Sequence, residues 1–231
     1  MSKELVMVGK DPHYLCHRER LRARFEADRH IPAYELLELL LFLSRPRCDT
    51  KPLAKALLAR FRTVNGVLAA SRERLREVPG IGEQSVHVLK LVFALMEHVL
   101  SERVVTRAVL SSWPQVVEYL QTSMGYLTEE HFRILFLDNK NRLIADEEQQ
   151  KGTVDQSPLY PREVLRRALE LGATALILVH NHPSGDPTPS LEDVQATRLI
   201  KDLGEKLGVS IHDHVVVGAH THRSMRSLGF L

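Results

Sequence analysis

Cysteine is scarce in this chain: among 231 residues there are two, Cys16 and Cys48. They can build neither a disulfide framework nor a cysteine-based zinc knuckle. Such usage suits a reducing compartment, so a cytoplasmic protein is expected. Long apolar runs are missing as well. The richest stretch, residues 36–43, is interrupted by Glu38 and is too short to span a bilayer. The opening residues, MSKELVMVGK, lack the apolar segment of a signal peptide. These absences predict a soluble protein with no membrane partner. No internal repeat or low-complexity tract is visible.

What is present is an ordinary globular composition, 44% apolar and 26% charged. The length allows one large domain or two modest ones. The net charge of +2 is unevenly spread: residues 1–105 carry 18 Lys+Arg against 13 Asp+Glu, and residues 106–231 carry 13 against 16. A basic front and an acidic back predict two units, 1–105 and 106–231, the first tolerant of polyanions.

The front half reads as helices. Residues 1–12 look like a loose leader. A helix over 14–27 has Leu15, Leu21 and Phe25 on its apolar side and Arg18, Arg20, Arg22 and Arg24 on its other faces. These arginines read as a solvated face, partly paired with Glu19 and Glu26, before they read as phosphate contacts. Pro32 opens a second helix, apolar almost all round over 36–43 as a buried bundle helix would be, and Pro46 ends it. Asp49-Thr50-Lys51-Pro52 starts a third, with Leu53, Leu57 and Phe61 at helical spacing. Asn65-Gly66 breaks the chain, and short helices are expected at 67–70 and after Ser71. Then come the residues LREVPGIG, ending at Gly82, and an apolar helix over 86–100, which together make a helix-hairpin-helix pattern. Gly80 and Gly82 let the backbone turn tightly and approach a ligand. The helix start behind Gly82 favours a phosphate. DNA-backbone binding ranks above a purely structural turn here, although Glu83 and His87 are not phosphate ligands.

After a boundary at 106–114 the pattern changes. A helix starts at Ser111-Ser112-Trp113-Pro114, with Val116, Val117 and Leu120 facing in, and Gly125 breaks it. Residues 132–137 and 143–150 read as strands around a turn at Asp138-Asn139-Lys140-Asn141. A loop at 152–160 leads to a helix over 161–171 with proline at its first position. The apolar run 173–179 reads as a central, buried strand. A helix over 190–207, two strands near 209–211 and 215–217, and a hairpin carrying His220 and His222 complete the chain.

The chemistry gathers at residues 180–193, HNHPSGDPTPSLED. Side chains two apart on a strand face the same way, so His180 and His182 can reach one ion. The Pro/Gly-rich loop can return Asp193 as a third ligand on the next helix. Two imidazoles, one carboxylate and an open position make the ligand set of a catalytic zinc. Plainer readings exist. H-x-H could arise by chance among 12 histidines, and Ser190 with Asp193 satisfies a capping-box pattern. The joint pattern favours the metal, with Zn2+ the expected cofactor. Hydrolysis needs one more carboxylate, close to the ion but not binding it, to take a proton from water and pass one to the leaving group. Glu129, Glu130, Glu147 and Glu148 are candidates, and composition does not choose among them.

H-x-H, seven residues, then S-x-x-D, with an upstream glutamate, resembles the JAMM (MPN+) metalloprotease motif. With HRERLRARF, ELLELLLF, KPLAKALL, VPGIG, FLD, LILVHNHPSGDPTPS and DHVVVG, the chain is similar to the RadC family from about residue 10 to 231. The resemblance implies an α/β protein. An all-α helix-hairpin-helix-like domain (1–105) would precede a JAMM, cytidine-deaminase-like mixed α/β domain (106–231). Deaminase chemistry itself is excluded, because no Pro-Cys-x-x-Cys exists. The resemblance implies His180, His182 and Asp193 as zinc ligands and Ser190 as the donor that stabilises an oxyanion. It implies Glu130, just ahead of Phe132-Arg133-Ile134-Leu135, as the general base. Glu129 is one step off the pattern, and Glu147 and Glu148 fall on the wrong strand. Asp213-His214 also belongs to the family pattern, either orienting a ligand imidazole or, more plainly, as a buried structural pair. His220 and His222 fall outside the pattern and read as exposed and incidental.

Three functions follow from these readings. The first is a zinc hydrolase that cleaves a peptide or isopeptide-like amide in a protein or peptide substrate. The second is a DNA-associated repair or processing factor, binding DNA through its helical domain or cutting it at the metal site. The third is a scaffold with a vestigial metal, which the filled motif positions argue against.

Overall fold

The computed structural model describes residues 13–46, 48–105, 109, 113–152 and 160–231. The expected leader at 1–12, most of the boundary at 106–114 and most of the loop at 152–160 lie outside the described residues. The chain divides into two compact units, Met1–Phe93 and Ala94–Leu231. That division falls within the helix Glu83–Val105, whereas the charge balance draws it at the helix's end.

The first unit holds α1 (His13–Ala27), α2 (Ala33–Ser44), α3 (Lys51–Phe61), α4 (Val64–Ala69), α5 (Arg72–Arg76) and the start of α6 (Glu83–Val105). Leu37, Leu41, Leu57, Leu75 and Leu89 are fully buried in its core, beside the buried rings of Phe42, Phe61 and Phe93. Three local expectations are corrected. α2 is not buried all round: Leu43 is 73% exposed, while Glu35 and Glu38 turn inward. A carboxylate inside a protein needs a partner, and α1 supplies both, through Arg24 at 3.0 Å from Glu35 and His17 at 2.7 Å from Glu38. Arg18 is not on a solvated face. It is buried, donates to the carbonyls of Arg45 and Cys48, and lies 4.3 Å over the Phe42 ring. Asn65-Gly66 does not break the chain but lies inside α4, because the Thr63 side chain caps the helix by accepting from Gly66 N–H at 2.9 Å.

The second unit continues with α7 (Trp113–Met124), β1 (Glu130–Leu137), β2 (Leu143–Gly152), α8 (Pro161–Glu170), β3 (Ala175–Asn181), α9 (Leu191–Lys206), β4 (Ser210–Val217) and β5 (His222–Ser224). The strands form one sheet in the order β2-β1-β3-β4-β5, mixed because β3 and β4 are parallel and the other pairs antiparallel. β3 is buried along its whole length, as its unbroken apolar run requires when both sheet faces are covered. Ile177 and Val179 pack with Leu120 of α7, and Leu176 and Leu178 pack with Val164 of α8 and Ile200 of α9. Alternation therefore sends His180 to the α8/α9 face and Asn181 to the α7 face.

β4 is one strand, not the two expected near 209–211 and 215–217. The polar Asp213 and His214 suggest a break, but each finds partners inside. Asp213 accepts from Ser224 Oγ at 2.5 Å and from the His214 and Arg226 N–H groups. No helix among the described residues is long and apolar enough to cross a membrane. Because Leu178 is fully buried at the centre of the sheet, Leu178→Ala is expected to cost about 2–5 kcal/mol. A drop in the urea midpoint of the full chain would measure it.

Candidate metal centre

The site is built where β3 ends. His180 is still in the strand. The His182 N–H donates to the Val217 carbonyl at 2.9 Å, which keeps the chain extended one step further and brings both imidazoles to one side. The chain then turns back, with Gly185 N–H on the His182 carbonyl at 2.9 Å and Gly185 at φ +86. A side chain on Gly218 would collide with the Gly185 carbonyl oxygen, so the loop packs directly on the turn after β4. α9 opens with a capping box. Asp193 N–H donates to Ser190 Oγ at 3.0 Å, while Asp193 Oδ2 accepts from Ser190 N–H at 2.8 Å and Ser190 Oγ at 2.7 Å. This places Asp193 Oδ2 at 3.5 Å from His180 Nε2 and 3.7 Å from His182 Nε2, and the two nitrogens lie 3.0 Å apart.

The hydrogen bonds around these rings assign their tautomers. His180 Nδ1 lies 2.7 Å from His214 Nε2, and His214 Nδ1 lies 2.5 Å from Thr197 Oγ1. Thr197 Oγ1 is in turn 2.6 Å from the Asp193 carbonyl. A carbonyl only accepts, so the Thr197 hydroxyl donates to it and accepts from His214 Nδ1–H. His214 Nε2 then accepts from His180 Nδ1–H. Burial, reinforced by the neighbouring His180, pushes the His214 imidazole well below its usual pKa, so it stays neutral as this chain of bonds requires. His182 Nδ1–H donates to the Asp186 carbonyl at 2.8 Å. Both rings thus turn an Nε2 lone pair inward.

Burial opposes the charge on Asp193, but His180, His182 and Ser190 outweigh it and hold the carboxyl far below the usual range. The Asp193 carboxylate in turn raises the His182 pKa against burial, so a proton and a cation compete for that nitrogen. Two lone pairs and an anionic oxygen facing one another call for a positive charge between them. Zinc bonds of about 2.0–2.2 Å in a tetrahedron would set nitrogen and oxygen donors about 3.3–3.5 Å apart. The separations of 3.0, 3.5 and 3.7 Å bracket that spacing, so these residues fit such an ion.

The four candidate glutamates fall in different places. β1 runs antiparallel to β3 with Phe132 opposite His180. Glu130 lies two residues beyond Phe132, at the N-terminal end of β1. Glu130 is half-buried, and its charge contributes to the raised His182 pKa. Glu129 is exposed, and its carbonyl accepts from Asn181 Nδ2 at 3.0 Å. Glu147 stands opposite Ile134 and is bound to Arg167 through two bonds of 2.5 and 2.8 Å. Glu148 stands opposite Arg133 and binds His131 Nδ1 at 3.0 Å. Ser190, as N-cap, lies against Asp193.

Asp213 and His214 are both buried, but their side chains part: Asp213 fastens β4 to β5, and His214 turns to His180 and orients its imidazole. Thr197 and Asn181 escaped sequence reading. For Thr197 a signal existed in its i+4 spacing from Asp193 on one helix. His220 is exposed, its Nδ1 3.2 Å from Tyr126 Oη, and His222 begins β5 opposite Val217, so neither joins the group.

Residues 110–230 match the family model of the RadC-like JAB domain, more than half of the chain. The chain belongs to that family. Residues 51–93 match the SAM-like helix-hairpin-helix tandem. A helical region followed by a JAB domain with a mixed sheet makes the overall class α/β, as expected. In the tandem, Gly80 takes φ +89 and no atom stands within 4 Å of where a Gly82 side chain would begin. Glu83 pairs with Arg76, and Lys90 Nζ is committed to the Leu68 and Ala70 carbonyls at 2.9 and 3.2 Å.

In the RadC-like domain, His214→Ala should leave His180 Nδ1–H without its acceptor. Zinc affinity is expected to fall about 10–100-fold with the fold retained, read by competition with a chromophoric chelator. Gly218→Ala should displace the loop that carries the Asp186 carbonyl and lower zinc affinity in the same assay. Unchanged affinity in both variants would contradict this account of how the rings are held.

Proposed function

We propose that this RadC-like protein is a zinc-dependent hydrolase that cleaves a peptide or isopeptide-like amide. The observation that carries the reading is the convergence of His180 Nε2, His182 Nε2 and Asp193 Oδ2; Glu130, whose charge helps raise the His182 pKa, supports it. Membership of the JAB-domain family supports a metal-dependent hydrolase. His180, His182 and Asp193 would hold the ion and leave one position open. Bound zinc supplies a Lewis acid that makes a water more acidic and polarises a carbonyl.

The chain's own groups do the rest. The Glu130 carboxylate accepts the proton of the attacking water and returns it to the leaving amine nitrogen. Glu147 and Glu148 are unsuited to this work, since each is bound to a basic side chain. Ser190 Oγ accepts from Asp193 N–H, so its own proton can swing from Asp193 Oδ2 to the carbonyl oxygen as charge develops there. Thr197 and His214 keep His180 in the tautomer that binds metal. Sparse cysteine usage supports a reducing, cytoplasmic setting.

The full chain is expected to hold about one zinc, which His180→Ala/His182→Ala should remove. Glu130→Gln should keep the zinc and slow cleavage by about 10²–10⁴-fold. Mass spectrometry of a mixed peptide and isopeptide library, with and without chelator, measures it. A double-histidine variant with full zinc, or a Glu130→Gln variant that cleaves like the wild type, would sink the reading.

A second reading, DNA association through the helical unit, rests on the match at 51–93. The open turn at Gly80 and Gly82 lies at the start of α6, where free N–H groups favour a phosphate. DNA affinity of the full chain should then fall steeply with salt. Gly82→Asp, which has room for its side chain, should weaken binding about tenfold. Absent or salt-insensitive binding in a gel shift removes this reading, and chelator-sensitive cleavage of DNA in place of peptide would recast the metal site as a nuclease.

A further inference from the structure

We infer that Asn181 positions Glu130 against the metal centre by clamping the backbone of β1. This rests on the reading of Glu130 as the proton-transfer group. Asn181 lies between the two histidines in sequence, but strand alternation turns its side chain to the opposite face of the sheet. It is 1% exposed. The register between β1 and β3 ends at Phe132 opposite His180. Past that point the Asn181 carboxamide takes over. Its Oδ1 accepts from His131 N–H at 2.9 Å, and its Nδ2 donates to the Glu129 carbonyl at 3.0 Å. Those two groups belong to the two peptide units that flank the Glu130 Cα. One side chain therefore fixes Glu130 on both sides, relative to the residue that separates His180 from His182.

The fork demands one acceptor and one donor at the end of a short arm, which is an asparagine. Aspartate keeps the shape but sets an oxygen against the Glu129 carbonyl. Alanine removes both bonds. The need for a clamp follows from the task of Glu130: its carboxylate must reach a water beside the ion without binding the ion itself. A displacement of about 1 Å in such a group can cost about 10²-fold in rate.

The test uses the zinc-loaded full chain as wild type, Asn181→Ala, Asn181→Asp, Glu130→Gln and the Asn181→Ala/Glu130→Gln double variant. The probe is acetohydroxamate, a zinc chelator that surrenders its acidic proton to a neighbouring carboxylate on binding. Zinc content and hydrogen exchange of the His131 amide are measured alongside. We expect full zinc in every variant and faster exchange of the His131 amide when Asn181 is changed. Acetohydroxamate should bind about tenfold more weakly to Asn181→Ala and to Glu130→Gln, with no further loss in the double variant, because coupled residues are non-additive.

Losses that add in the double variant overturn the inference. So does wild-type affinity in Asn181→Ala beside a weakened Glu130→Gln. Where Asn181→Ala does not fold, Asn181→Asp decides by the same comparison with its own Glu130→Gln double, and loss of zinc from a folded Asn181→Asp overturns the inference in favour of an action on the histidines. Failure of the underlying reading looks different: Glu130→Gln itself then leaves acetohydroxamate binding unchanged, and both fall together.

Discussion

Two imidazole nitrogens 3.0 Å apart, each turning a lone pair toward the other and toward a carboxylate oxygen, form the interaction on which the C-terminal unit depends. With neither a proton nor a cation between them the three atoms repel. Separate restraints hold them in place. The Val217 carbonyl draws in the His182 N–H, the Asp186 carbonyl takes its Nδ1–H, His214 takes the Nδ1–H of His180, and Ser190 holds Asp193. The restraints come from β4, the loop after β3 and the start of α9, so the fold stores the repulsion that a cation would relieve. Metal binding to such a site should couple to folding stability.

Both units bury polar groups, to different ends. In the helical unit Glu35 and Glu38 are held by Arg24 and His17, and Arg18 reaches two carbonyls; these contacts join α1 to α2 and to the chain beyond it. They withdraw one cation, Arg18, and two anions, Glu35 and Glu38, from the surface, so burial does not reduce the basic excess that the front half offers a polyanion. In the JAB unit the buried polar line Thr197–His214–His180 joins α9, β4 and β3 and ends at the ring whose Nε2 faces His182 and Asp193. There the polar contacts fix the orientation of an imidazole.

Sequence reading went astray where polar residues lie inside. Asp213 and His214 suggested a gap between two short strands, yet β4 runs through them because Ser224, Arg226 N–H and His180 satisfy them. The leucines of α2 suggested burial on every side, yet Leu43 faces out where Glu35 and Glu38 face in. Pattern arguments assign polar residues to solvent, and they hold only until a partner from another element removes the cost of burial.

The sequence alone determined the types and order of the side chains that could hold an ion. H-x-H at a strand end and S-x-x-D at a helix start are local geometry, set by the two-residue period of a strand and the reach of a capping side chain. Tertiary structure decided which side chains surround that set. Glu130 comes near His182 because β1 pairs with β3 in one register, with Phe132 opposite His180, and a slip of one residue would turn it to the other face. Asn181 reaches His131 across 50 residues, and His214 reaches His180 across 34. Register and packing between such distant segments follow from the whole core, which no short stretch of sequence displays.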